Sequence, residues 1–329
     1  MNVAILADEN VERFGEYDAL FFEGRAHTNT EILGHARRFA NALCSMGVRA
    51  GDRVAVMMPN CIEVSKAYGG ISAMGAVIVP IVFLLTPPEV HHILADCAPR
   101  VVVTAPELLP TVRSALDGLP APPIVVVADG AGGLAADGSA PEGAVRFDSL
   151  LAEASAPFTL VDRASDEVAV IMYTSGTTGR PKGVMITHGN LLWMASALSD
   201  QYLAEQGDVG LLALPVSHLF GLIVLMAGQV LGVPGVLLRW FTPQDVMEAI
   251  ERHRVTSLPM VPTMARYLLD YLDAGRYDTS SLRRVFLSAA PVPHELKRAF
   301  AERFGCEVLE GYGLTEASPA VAVERPGEE

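Results

Sequence analysis

The sequence predicts an α/β fold of two doubly wound subdomains, with largely parallel sheets covered by helices. Three observations carry this. Short apolar runs such as V-V-V-T at 101–104 and I-V-V-V-A at 124–128 show no polar alternation, so both faces of these strands must be covered. Amphipathic stretches at helical spacing separate the runs almost throughout, as repeated βα units require. The 329 residues are 50% hydrophobic and 19% charged, which is ample for a large buried core.

In chain order, residues 31–46 are predicted helical. Ile32, Ala36, Phe39, Leu43 and Met46 fall at spacings of four and three, with Thr30 as the expected cap and Gly47 as the stop. Strand 53–58 follows and is ended by Pro59. Helix 61–74, strand 77–79, helix 89–97 and strands 101–104 and 124–128 come next. Residues 130–143 are rich in Gly and Ala and read as a surface loop or linker. The alternation then restarts with strands 168–173, 184–187, 209–213, 236–238, 257–260, 285–287 and 307–309, and helix 243–253 lies behind a Thr242…Asp245 capping pair. The expected division is an N-terminal subdomain 1–163 and a second subdomain 164–329.

Charge and composition exclude several classes. The formal net charge is -14, the wrong sign for a surface that displaces counterions from nucleic acid. An anionic ligand must therefore be held by a local site. Cys44, Cys61, Cys97 and Cys306 form no C-x-x-C pair and are expected to be small buried hydrophobes in a reducing compartment. His91-His92 reads as a helix surface feature, not a ligand set. The N-terminus lacks a basic n-region, so it is not a signal peptide. Residues 71–85 and 219–238 are apolar, but Pro80 breaks the first and Gln229, Gly232, Pro234 and Gly235 interrupt the second. Both are expected to be buried helix-plus-strand segments, with no transmembrane span and a cytoplasmic location.

The most informative segment is 174–183, T-S-G-T-T-G-R-P-K-G. Gly176, Gly179 and Gly183 let the backbone turn tightly and bring its N–H groups near an anion. Thr174, Ser175, Thr177 and Thr178 supply hydroxyls, and Lys182 supplies a mobile charge. The pattern differs from a Walker A loop: Arg180 and Pro181 separate Gly179 from Lys182, Gly183 follows the lysine, and a strand comes next instead of a helix. A second segment, E-G-Y-G-L-T-E at 310–316, follows strand 307–309. Tyr312 sits between Gly311 and Gly313, so a flat base can stack on it with the backbone close by. Thr315 offers a hydroxyl, and Glu316 is a hard oxygen ligand suited to Mg²⁺.

The two segments, in this order and separation, resemble the signatures of the adenylate-forming superfamily of acyl-CoA synthetases, adenylation domains and luciferases. The resemblance covers nearly the whole chain and is nearest to fatty-acid or aryl-acid CoA ligases. It implies that residues 174–179 with Lys182 hold the β,γ-phosphates of ATP, that Tyr312 stacks on adenine, that Thr315 contacts the α-phosphate, and that Glu316 binds Mg²⁺. Glu310, Gly311 and Gly313 belong to the same nucleotide motif. Ser288-Ala289-Ala290 resembles the family's small-residue strip beside adenine and the acyl group, although the family often has Gly where Ser288 stands. His218 in L-P-V-S-H-L-F-G is by itself most simply a core histidine; the resemblance places it beside the reacting carboxylate.

Amino-acid adenylation domains carry an acidic residue near that histidine to meet the substrate ammonium. Here 211–229 contains no Asp or Glu, which points to an acid without an α-amine. The apolar run 219–226 with Met260, Val261 and Met264 suggests an oily acyl tunnel. The implied substrates are a carboxylic acid, ATP and coenzyme A. In the family, a ribose-binding Asp, a hinge and a mobile C-terminal lid domain carrying a bridging lysine come later than residue 329. The chain is therefore expected to lack the lid, to be weak or inactive as a ligase alone, and to work with a separate C-terminal domain. Uncovered apolar surface would favour a homodimer. An acyl-AMP ligase loading a carrier protein, and a non-catalytic nucleotide-binding protein, remain open as alternatives.

Overall fold

The computed structural model describes residues 1–128, 140–174, 180–202 and 207–327. Its strands form two sheets. The first has seven strands: β3 (Arg53–Met57), β4 (Val77–Pro80), β5 (Val101–Thr104), β6 (Ile124–Val127), β7 (Ala144–Arg146), β8 (Val168–Thr174) and β9 (Lys182–Thr187), in the order β7-β6-β5-β3-β4-β8-β9. All its pairings are parallel except β8 with β9. The second has eight: β1 (Asp18–Phe22), β2 (Arg25–Thr28), β10 (Gly210–Leu212), β11 (Gly235–Leu237), β12 (Ser257–Met260), β13 (Arg284–Leu287), β14 (Glu307–Gly313) and β15 (Ala320–Val323), in the order β15-β14-β13-β12-β10-β11-β1-β2. Only its two edge pairings, β14–β15 and β1–β2, are antiparallel.

Eleven α-helices are described: α1 (Ile5–Phe14), α2 (Asn29–Ser45), α3 (Ile62–Ala73), α4 (Pro87–Cys97), α5 (Leu109–Leu116), α6 (Phe147–Glu153), α7 (His188–Tyr202), α8 (Leu219–Leu231), α9 (Pro243–His253), α10 (Pro262–Asp270) and α11 (His294–Phe304). They make three layers around the two sheets. Successive residues of a strand face opposite sides, and the cores follow that rule. Ala55 and Met57 of β3 pack with α4 and α5, whereas Val54 and Val56 join a large core built with α2, α3, α7 and α8. That same core receives Leu212, Leu237, Phe286 and Leu309 from the second sheet. The opposite face of the second sheet, with Leu258 and Val285, packs on α9, α10 and α11.

The element types agree with the sequence reading, and several details differ. The cap of α2 is Thr28, not Thr30. Thr28 is extended, and its side chain accepts from Glu31 N–H at 3.1 Å, while the Thr30 hydroxyl turns to Glu16 and Thr28. The α9 cap is as expected, with the Thr242 hydroxyl accepting from Asp245 N–H at 3.0 Å. The apolar stretch 219–238 resolves into α8 and β11. Among the described residues, no helix is long and apolar enough to cross a membrane. Cys61, Cys97 and Cys306 are buried, but Cys44 is exposed on α2. His91 and His92 are partly buried and donate from their rings to the carbonyls of Ala115 (2.9 Å) and Pro181 (3.1 Å). Residues 130–139 of the expected linker 130–143 lie outside the described residues.

The sheets divide the chain differently from a cut at 163/164. Strands β8 and β9 complete the first sheet, and the hairpin β1–β2 caps the edge of the second. The hairpin turns through Glu23 and Gly24, both at positive φ (46° and 81°). That geometry matches the right-handed strand twist of a two-residue turn.

Candidate functional site

The segments singled out in the sequence gather where strands of the two sheets end. The segment 174–183 joins β8 to β9 as a hairpin. Thr174 stands opposite Lys182 in the antiparallel register, and Tyr173 stands opposite Gly183. Ser175, Gly176, Thr177, Thr178 and Gly179 lie outside the described residues, so only the stem is placed. Helix α4 holds that stem. The Tyr173 hydroxyl donates to the Asp96 carboxylate at 2.5 Å, and burial together with this carboxylate pushes the Tyr173 pKa well up. The His92 ring N–H donates to the Pro181 carbonyl on the other arm. Lys182 is exposed at the mouth, free to swing a charge toward an anion.

The second segment extends further as a strand than its sequence suggests. Strand β14 continues through Gly311, Tyr312 and Gly313 because β15 pairs with it. Both glycines are required by close approach. A Cβ on Gly311 would lie 2.3 Å from Cζ of Phe286, and one on Gly313 would lie 1.7 Å from the Pro319 carbonyl oxygen. Between them the Tyr312 side chain is 66% exposed, an open flat ring beside bare backbone. Glu310 is held at its backbone, where its N–H donates to Glu324 Oε2 at 2.8 Å. Thr315 and Glu316 then form the single 3-10 turn Thr315–Ala317, with Glu316 exposed. This turn packs against β9, with Cα atoms of the two segments within 8 Å. The strand that follows the first motif and the turn that ends the second, from different sheets, therefore meet.

The strip 288–290 follows β13, beside β14. The Ser288 hydroxyl donates to the Gly311 carbonyl at 2.8 Å, tying the strip to the Tyr312 strand. The left-handed position is Ala289 (φ 70°), one residue beyond the place where a glycine was looked for. A non-glycine residue there is strained and held by its surroundings. Ala289 and Ala290 are exposed.

His218 is the N-cap residue of α8. Its own N–H donates to Pro215 O at 3.0 Å, and its carbonyl accepts from Leu222 N–H at 3.0 Å. Gly221 lets the first turn of α8 press on this loop, since a Cβ there would lie 2.3 Å from Pro215 O. Phe220, two residues after His218, packs edge-on against Phe286 at 5.8 Å, and Phe286 is the ring that excludes a side chain at Gly311 of β14. His218 is open to solvent yet surrounded by enough protein that desolvation lowers its pKa, the signature of a residue in a recess. It is neutral near pH 7.

The described residues fit a nucleotide and one divalent cation in a limited sense. The exposed Tyr312 ring with bare backbone on both sides matches a flat base. Glu316 is one accessible carboxylate beside β9, which suits a Mg²⁺ ion that takes its remaining ligands from phosphate and water. Among the described residues, no group of three or more metal-ligating side chains exists.

A cavity of ≈ 220 Å³ lies elsewhere, lined by Leu222, Leu225, Met226 and Leu231 of α8 and by Gly210, Gly235 and Ser257 at the starting ends of β10, β11 and β12. Pro259 lines it, but Met260 does not: strand alternation turns Met260 into the core of the opposite face. Val261 and Met264 are not among its lining residues either and pack against the core clusters. On that side the cavity is walled by Pro259 and Leu212, not by the three residues expected to line an acyl tunnel.

Sequence reasoning missed the side chains that hold the site without touching a ligand: Asp96, His92, Phe286 and Asn60. Their partners are distant in sequence, and the only local signal was Tyr173 directly ahead of the loop.

The fold is of two sheets in which β9, after the glycine-and-hydroxyl segment, meets the turn that follows the G-Y-G strand. In comparison with known proteins, residues 7–329 match the family described as AMP-binding enzyme, and the chain belongs to it. It is 36% identical over 303 residues to a feruloyl-CoA synthase of Amycolatopsis sp, covering 91% of this chain and 56% of that protein. It is 32% identical over 336 residues to a long-chain-fatty-acid–CoA ligase of Bacillus subtilis (strain 168), covering 96% of this chain and 60% of that one. The chain thus spans little more than half the length of these relatives. Among solved structures, the anthranilate CoA ligase AuaEII in complex with anthranoyl-AMP superposes with TM-score 0.92 at 27% identity, over 100% of this chain and 63% of that one. The N-terminal domain of FACL13 from Mycobacterium tuberculosis superposes with TM-score 0.87 at 28% identity, over 98% of this chain and 78% of that one.

Proposed function

We propose that this chain is the ATP- and acyl-substrate-binding part of an AMP-forming ligase that joins an apolar carboxylic acid, by preference a fatty acid, to coenzyme A. The observation that carries the reading is the meeting of β9, which begins at Lys182, with the turn Thr315–Ala317, which holds Thr315 and Glu316. In the proposed reaction a carboxylate oxygen attacks the α-phosphorus of ATP, and the bond to pyrophosphate breaks. The coenzyme A thiol then attacks the acyl carbon, and AMP leaves. Such chemistry depends on positioning and charge neutralisation, not on a protein nucleophile. Lys182 and the hydroxyls of Thr174, Ser175, Thr177 and Thr178 hold the departing pyrophosphate. Tyr312 receives adenine between Gly311 and Gly313, and Ser288, Ala289 and Ala290 leave room beside it. Thr315 orients the α-phosphate, and Glu316 holds Mg²⁺, which offsets charge on the phosphates. Neutral His218 stands at the carboxylate end and can donate a hydrogen bond without adding charge.

The apolar run 219–226 of α8 and the apolar residues lining the cavity beside it support an alkyl chain over an aryl group. The names of the relatives include both classes, and they favour coenzyme A over a carrier protein as acceptor. The test is pyrophosphate release from ATP and Mg²⁺ with a panel of carboxylic acids. It is run on the chain alone and with the C-terminal remainder of a relative supplied. Release with fatty acids in the supplemented reaction is expected. Release with aryl acids only would overturn the alkyl preference. No release, with ATP binding by calorimetry intact, would leave a non-catalytic nucleotide-binding protein.

A further inference from the structure

We infer that Asn60 and Tyr68, both in the half of the molecule opposite the nucleotide strand, form a clamp on the Val216 peptide that positions His218. The inference rests on the role given above to His218. Asn60 follows β3 at its C-terminal end and is 2% exposed. Its amide uses its full donor set across the sheet interface. Nδ2 donates to the Leu214 carbonyl at 2.9 Å and to the Leu238 carbonyl at 3.0 Å, while Oδ1 accepts from Val216 N–H at 2.9 Å. From α3, the buried Tyr68 hydroxyl donates to the Val216 carbonyl at 3.3 Å. Val216 is thus held at both its N–H and its C=O by side chains of the first-sheet half, two residues ahead of His218.

The carbonyls it grips come from the ends of β10 and β11, so one side chain fixes where two strands of the second sheet stop relative to β3. A side-chain amide satisfies this site. Two donations and one acceptance from one planar group are what an amide supplies. Asp would turn both donations into repulsion, and Ala would leave two carbonyls and one N–H buried without partners. The consequence is directional. Loosening the clamp releases the His218 loop and the first turn of α8, whereas the β8–β9 stem and Tyr312 are held by other contacts. The clamp therefore acts on the acid end of the site and not on the phosphate end.

The test uses the 329-residue chain with Asn60→Ala, Asn60→Asp and Tyr68→Phe. Two readouts are taken: the His218 imidazole titration by NMR, assigned with His218→Gln, and calorimetric affinity for ATP and for an alkyl sulfamoyl-adenosine that mimics an acyl-adenylate. In the Asn60 variants the His218 titration should rise toward its ordinary value, and analogue affinity should fall by about tenfold or more with ATP affinity kept. Tyr68→Phe removes one oxygen, and a smaller shift in the same direction is expected. If neither Asn60 variant folds, Tyr68→Phe decides alone. An unmoved His218 titration, or ATP and analogue affinities falling in parallel, overturns the clamp. A wild-type chain that binds neither ligand would instead overturn the proposed function, and the titration would still judge the clamp.

Discussion

Lys182 stands opposite Thr174 at the mouth of the hairpin, exposed and carried on a strand that α4 anchors through Pro181. Its aliphatic stem gives reach, and its charge is the local answer to an anion in a chain of net charge -14. Lys182→Ala removes a charge-assisted contact and is expected to weaken ATP binding by about 1–3 kcal/mol, with no change in thermal midpoint, measured by calorimetry. Unchanged ATP affinity would remove Lys182 from the phosphate site. Ser288 stands where the family often has glycine; its hydroxyl donates to the Gly311 carbonyl, and the left-handed backbone angle belongs to Ala289.

Among the elements, α7 carries the clearest pH dependence. It begins at His188, which is fully buried; Nδ1 accepts from Val3 N–H at 3.1 Å, so the ring proton sits on Nε2. Burial, then the charges of Arg163 and the N-terminal amine, push its pKa down to about 4 from an ordinary value of 6.5. The unfolded chain takes up a proton near pH 6.5 and the folded chain only near pH 4, so between these values the unfolded state binds more protons. Stability should therefore be flat above pH 6.5, fall as pH drops from 6.5 to 4, and flatten again below. The loss from this residue is up to about 3 kcal/mol. Denaturant titrations across that range check it, and His188→Asn should show a shallower fall. An equal slope in the variant would place the acid sensitivity elsewhere.

At the scale of the whole molecule, the two sheets are joined by polar cross-links as well as by a shared core. Arg239, just after β11, bonds Glu23 in the β1–β2 turn at 2.7 Å and reaches Glu107, after β5, at 3.6 Å. Its guanidinium also lies 5.3 Å above the Phe22 ring. Its side chain is largely buried, but both carboxylates are more than a third exposed, so solvent screens part of the gain. Arg239→Ala is expected to lower stability by about 1–3 kcal/mol, read as a shift of the denaturation midpoint. No shift would mean that the Arg239 cross-links add nothing to what joins the halves.

Most strands and helices were legible in the sequence because their signals are local. Buried parallel strands such as V-V-V-T need no long-range information to be recognised, and α9 announces itself through Thr242 and Pro243. The chemistry of the two motifs was legible for the same reason, since glycines, hydroxyls, Lys182 and Glu316 are fixed by covalent neighbours. The boundary between the halves was not. Strands β8–β9 and β1–β2 cross to the other sheet by pairings whose partners lie far along the chain, and composition carries no trace of that choice. Nor could the sequence reveal that Asn60 grips the loop before His218 from the opposite sheet, or that Pro259 faces the cavity while Met260 turns away. The sequence by itself determined which residues can meet an anion and a base. Only the tertiary structure decided that β9 and the turn Thr315–Ala317 come together, because that meeting depends on the register of two separate sheets and on the packing between them.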